Sequence, residues 1–199
     1  MSLLSVAGIA LALSVAGSLW MIAGATGFAY FALFVLVGVP GLPAGFALFG
    51  RRHVVGWLAG LSLGYAVTTA AWWTVIYAGQ ATSAAFALAW VAVAGAAWLT
   101  LRRFSLPLVK MPSWSRSAST ALCLLLLMVP ALVAPAFANL GTTDAAGNRL
   151  YRAYFTADFV WHTALTAELS KHEARPRNPF LGPEPVHYYW TYFRVPATL

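Results

Sequence analysis

The chain has 199 residues, of which 61% are hydrophobic and only 9% charged. Soluble domains carry about 25% charged residues, so a water-soluble fold of this length is excluded and the composition indicates an integral membrane protein. The formal charge of +7 would suggest nucleic acid in a soluble protein, but six of the twelve cations occupy two short inter-helix loops and read as topology signals, so no nucleic-acid partner is expected.

A helix that crosses the hydrocarbon core needs about 20 apolar residues. Five stretches qualify: 3–22, 28–49, 54–77, 83–101 and 120–137. The first has no basic leader and no clear cleavage site before the next span, and reads as a transmembrane helix and not a removed signal peptide. Pro40 and Pro43 in the second span, and Pro130 and Pro135 in the fifth, are expected to kink or loosen their helices. Gly56, Gly60 and Gly64 recur every four residues and give the third span a smooth face for close helix packing. Trp72, Trp73 and Trp114 fall near span ends, where tryptophan packs or anchors. Cys123 is the only cysteine; it lies in an apolar run, cannot form an intrachain disulfide and is expected to be inert.

The connections at 23–27 and 79–82 are short and uncharged, whereas Arg51-Arg52-His53 and the loop 102–116 are basic. Lys and Arg favour the cytoplasmic side. The N-terminus and both basic loops are therefore expected inside the cell membrane, and the segment 138–186 outside. That segment holds all five acidic residues (Asp144, Asp158, Glu168, Glu173 and Glu184) balanced by five cations; the first 143 residues contain no carboxylate. The expected organisation is all-α: a polytopic transmembrane helical bundle over 1–137, one large extracytoplasmic loop over 138–186 with a short interfacial helix, and the start of a sixth span over 187–199. A span that begins at 187 has too few residues to cross before Leu199, which suggests a fragment of a longer protein.

Within the outer segment, Gly141 to Asn148 is turn-rich. Thr156 to about His172 reads as a helix, with Thr156 as N-cap and Asp158 in the first turn, where the helix dipole favours an anion. At 100° per residue Asp158, His162, Leu165, Leu169 and His172 share one stripe, which suits a helix lying on the membrane surface with its first turn facing a cleft. Four prolines between Pro176 and Pro185 exclude helix and suggest a rigid extended connector.

Chemistry is therefore sought outside the membrane. Asp158 and His162 form an i, i+4 pair, so the carboxylate can hydrogen-bond the imidazole. Partial desolvation at a water–lipid boundary raises carboxylate basicity, as a general base for a hydroxyl requires. Asp144 is the second candidate acid, with turn formation as its structural alternative. Arg149, Arg152, Arg175, Arg177 and Arg194, with Lys171, His187 and Tyr188, supply groups that could hold a phosphate, or that could simply meet lipid headgroups. Asp158, His162 and His172 do not match a known zinc spacing, although a divalent ion shared by carboxylate and phosphate oxygens is compatible with the set.

Two runs carry a family resemblance. Residues 154–162 (Tyr-Phe-Thr-Ala-Asp-Phe-Val-Trp-His), continued by Ala164 to Leu169, resemble the first large outer loop of multi-pass GT-C glycosyltransferases, a group that includes protein O-mannosyltransferases and aminoarabinose transferases. The run 178–190 is similar to the segment by which these proteins enter their next span. The likeness covers about residues 138–193. It implies transfer of a sugar from a polyprenyl-phosphate donor to an acceptor at the outer face, with an acidic residue at the position of Asp158 as base. The lipid-linked donor and membrane lipids are the implied partners. Many members place this loop after their first span, whereas here it follows five. A transporter or flippase, or a non-catalytic membrane scaffold, are the alternatives; the absence of charge inside the five spans counts against an ion-coupled carrier.

Overall fold

The computed structural model describes residues 2–103, 107–137, 142–148, 156–186 and 194–197, without the side chains of residues 136, 156–159, 194 and 196. The described elements are helical: α1 (Leu3–Gly38), a 3-10 turn (Val39–Gly41), α2 (Leu42–Phe49), α3 (Val54–Tyr77), α4 (Ser83–Leu101), α5 (Arg116–Phe137), α6 (Thr156–Leu169) and α7 (Arg194–Ala197). Four helical stretches are long and apolar enough to cross a membrane: Leu3–Phe49, Val54–Tyr77, Ser83–Leu101 and Arg116–Pro135. The chain is thus an all-helical protein of membrane-spanning composition. It divides into two compact units, Met1–Ala32 with Ser113–Asp158, and Leu33–Pro112 with Phe159–Leu199.

In the first unit, the initial helical run turns back on itself. Leu3–Phe49 holds 47 residues, about 70 Å at 1.5 Å per residue, more than twice the roughly 30 Å hydrocarbon core. Gly24 breaks it with φ 54 and ψ −138, a conformation open to glycine. A Cβ at Gly27 would lie 2.7 Å from the carbonyl oxygen of Leu19. Residues eight apart in a straight helix are about 12 Å apart along the axis, so the two halves fold back at Gly24. The connection expected over 23–27 is in fact a one-residue break with helix on both sides. The fifth span starts four residues earlier than expected, at Arg116, and carries Pro130 and Pro135 without ending.

In the second unit, the 3-10 turn and α2 lie against α3 along a seam of glycines. A Cβ on Gly64 would overlap the carbonyl oxygen of Gly38, one on Gly41 would overlap backbone atoms of Gly60 and Gly64, and one on Gly45 would overlap the carbonyl oxygen of Gly56. The Gly56, Gly60, Gly64 face therefore does what its spacing implied. Its counterpart is Gly38, Gly41 and Gly45, a second small-residue series that runs from the end of α1 through the 3-10 turn into α2.

Pro40 explains the 3-10 turn. It has no N–H, so the carbonyl of Leu36 four residues earlier loses its helical donor. Trp90 of α4 replaces it, its Nε1 donating to Leu36 O at 3.0 Å. The next carbonyl, Val37 O, accepts from the buried hydroxyl of Thr68 in α3 at 2.9 Å. Neighbouring helices thus satisfy carbonyls that lipid could not.

At the far end of α3, Trp72 is buried and donates from Nε1 to Phe86 O at 3.0 Å. It is a packing residue between α3 and α4 and not a lipid-facing anchor. Val37, Trp72, Ile76, Phe86 and Val195 form one apolar cluster, so α7 is tied to the ends of α3 and α4.

Candidate functional site

In the second unit, the segment from Phe159 to Val186 is organised by α6, which begins at Thr156. Its helical backbone runs from Thr156 to Leu169, so Asp158 and His162 lie one turn apart on a continuous helix, as expected. The side chain of Asp158 lies outside the described residues. His162 is half-buried, and its carbonyl accepts from Thr166 Oγ1 at 2.8 Å. Leu165 and Leu169 on the same stripe are fully buried against Val186 and Ala197, with Trp161 alongside. The apolar part of the stripe therefore anchors α6 to the protein.

The helix stops three residues short of the expected end. Lys171 N donates to Glu168 O at 3.1 Å and His172 N to Leu169 O at 3.0 Å. His172 adopts φ 57, the left-handed conformation that closes a helix. This turns its ring out of the helical stripe and places it edge-on to Phe86, with centroids 5.4 Å apart. Among the described residues its Nε2 is buried without a hydrogen-bond partner.

Glu168, to which the sequence assigned only charge balance, holds the segment together. It is buried, pairs with the Lys171 ammonium and accepts from the backbone N–H of Arg177 at 3.1 Å. The hydrogen bond from Lys171 is the main reason its carboxyl titrates below the usual range; burial opposes this, and the Arg177 N–H adds to it. The signal in the sequence was the Glu-to-Lys spacing of three residues on a helix.

The proline-rich stretch is folded into a hairpin, contrary to the extended connector expected. Arg177 and Pro185 bridge antiparallel, Asn178 N donates to Glu184 O at 2.7 Å, and Val186 N donates to Pro176 O at 3.0 Å. Prolines remove donors but leave carbonyls free, and here the non-proline residues between them supply the N–H groups. Asn178 Oδ1 accepts from the N–H of Phe180 and Leu181, an Asx turn that shapes the tip. Phe180 stacks on Trp161 with centroids 5.4 Å apart.

The remaining candidate residues separate. Asp144 sits in the turn before Asn148, accepting from Ala146 N at 2.9 Å, Asn148 N at 2.8 Å and Asn148 Nδ2 at 3.2 Å. The Asn148 hydrogen bonds are the largest cause of its lowered pKa, which makes it a poorer base. Arg175 and Arg177 are exposed, and Arg177 lies 3.8 Å from Glu173. Arg149, Arg152, His187 and Tyr188 lie outside the described residues, as does the side chain of Arg194. Among the described residues no group of three His, Cys, Asp or Glu gathers in a way that could hold a metal ion.

The structure thus brings together α6, the hairpin and the ends of α3 and α4. Comparison of the chain with protein-family models, with curated proteins and with solved structures finds no match.

Proposed function

We propose that the protein is a GT-C-like membrane glycosyltransferase that moves a sugar from a polyprenyl-phosphate donor to an acceptor at the outer face of the cell membrane. Asp158 is the base that takes the acceptor hydroxyl proton, and His162 orients it. The observation that carries this reading is the unbroken helical backbone of α6 through both residues, which keeps the i, i+4 relation the chemistry needs. Two of the other acids have structural work instead: Asp144 builds a turn and Glu168 ties down the hairpin. Arg175 and Arg177 are exposed on the same segment, where they could meet the donor phosphate.

The test is Asp158→Asn in membranes supplied with a polyprenyl-phosphate sugar. A general base contributes about 10²–10⁴-fold, so transfer should fall by at least about a hundredfold while the protein stays inserted; near-normal transfer would sink the reading. The orientation, N-terminus and basic loops inside, is tested separately. A cysteine at exposed Ala145, in a Cys123→Ser background, should react with an impermeant thiol reagent added to intact cells. Protection there would reverse the topology. Ala145 is preferable to Gly147, whose φ of 84 a cysteine would strain.

The rival with an observation behind it is a non-catalytic membrane scaffold. The structural engagement of Asp144 and Glu168 favours it, and it predicts that Asp158→Asn is silent.

A further inference from the structure

The end of the second unit opposite to α6 carries a different kind of surface. Gly50 ends α2 with φ 83, and its N–H donates to Phe46 O at 2.9 Å. The chain after α4 returns to this point. Leu108 N donates to Ala47 O at 2.9 Å and Val109 N to Leu48 O at 2.8 Å, satisfying carbonyls left open where α2 stops. That closure joins the two basic loops at one end of the helices. Arg51, Arg52, Arg102, Arg103 and Lys110 are all exposed there. The first 143 residues hold no carboxylate to neutralise them, and among the described residues none of the five makes an ion pair.

A second, independent feature sits directly beneath. Trp57, one turn into α3, and Trp98, one turn before the end of α4, both pack on Phe46, with centroids 4.9 and 6.4 Å away. Both stay partly open, at 45% and 37% exposure. Trp57 Nε1 donates to Arg51 O at 2.9 Å, and the Arg51 guanidinium lies 5.7 Å from the Phe46 ring centre. Indole rings settle at the boundary between headgroups and acyl chains. They put the five cations at headgroup depth, where each is drawn to an anionic lipid surface.

We propose that this end is a seat for an anionic phospholipid. Its phosphate lies among Arg51, Arg52, Arg102, Arg103 and Lys110, and its acyl chains run down past Trp57 and Trp98. Guanidinium pairs suit phosphate because they can bind it through two parallel N–H groups. The seat does not depend on whether the outer segment transfers sugar.

The test uses native mass spectrometry of the full chain in detergent, with equimolar phosphatidylglycerol and phosphatidylcholine. The wild type should retain phosphatidylglycerol at least about fivefold over phosphatidylcholine. R51Q/R52Q/R102Q/R103Q/K110Q should abolish the preference. Because removal of these charges could disturb insertion, the wild type is also followed with rising salt, which should erode the preference through screening. Equal retention of both lipids by the wild type, a preference that survives high salt, or one that persists in the quintuple variant would overturn the proposal. So would displacement of the lipid by millimolar inorganic phosphate, which would assign the cations to a free anion.

Discussion

The glycine seam along α3 and the segment from α6 through the hairpin solve the same problem by opposite means. In the seam, contact is made by removing side chains, so that backbone meets backbone at Gly38, Gly41 and Gly45 against Gly56, Gly60 and Gly64. In the segment from α6 through the hairpin, contact is made by adding polar partners: Glu168 to Lys171 and the Arg177 N–H, and Asn178 to its own turn. The difference follows from the surroundings. Lipid tails are as apolar as the helices, so hydrophobic burial gives little drive for association and close packing must supply it. An irregular segment has open backbone groups and needs specific donors and acceptors to hold one shape.

This contrast is broken most severely at Gly64. A methyl group there meets the Gly38 carbonyl and the Gly41 nitrogen, and backbone cannot swing aside as a side chain can. Gly64→Ala should cost about 3 kcal/mol, at the upper end of what overpacking usually costs, and lower the thermal midpoint in detergent. Gly95→Ala on α4 is the control: nothing lies within 4 Å of its Cβ. There the change should be neutral or slightly stabilising, since alanine is the better helix former. Equal effects at the two positions would mean that the seam does not pack as described.

A smaller effect is expected where the seam borrows from the polar strategy. Trp90→Phe removes the donor to Leu36 O. An interhelical hydrogen bond inside a membrane is worth about 0.6–1 kcal/mol, so the thermal midpoint should fall by a correspondingly modest amount. Combining it with Pro40→Ala, which returns an N–H to the helix, should make the tryptophan change nearly silent. A full Trp90→Phe penalty in that background would show that the indole acts through packing alone.

The membrane helices were legible because length and apolar composition are read directly from a chain with so few charges. Even the close-packing face of α3 was visible in its spacing. The partner series at Gly38, Gly41 and Gly45 was less visible because Pro40 and Pro43 interrupt the period and draw attention to a break. The fold-back at Gly24 is a single-residue event, and nothing in the surrounding apolar sequence narrows it to that glycine. In α6, the i, i+4 relation of Asp158 and His162 survives because it depends only on helix continuity. The assignment of His172 to the same stripe failed because helix ends are set by local closure, here a left-handed histidine, and not by periodicity. The hairpin over 176–186 was hidden because proline argues only against helix. Its closure depends on which of the intervening N–H groups find partners, and that is decided by pairing across the turn.

The comparison can be sharpened by acid, because only one of the two regions contains a titratable group at its contact. The Glu168 carboxyl is held below its usual range mainly by Lys171. A depressed folded-state pKa means that the unfolded segment binds more protons. Its stabilisation is therefore complete above the unfolded value of about 4.3 and is lost as pH falls through the folded value. Amide exchange at Arg177, whose N–H donates to Glu168, should lose protection on going from about pH 6 to about pH 3, after correction for the intrinsic pH dependence of exchange. The amides of Gly60 and Gly64, deeper in the seam than the His53 cap of α3, should keep theirs over the same range. Glu168→Gln should leave Arg177 less protected at neutral pH and remove the acid sensitivity. Loss of protection at both regions together would mean that they open as one unit, so that the polar ties between α6 and the hairpin have no separate stability to lose.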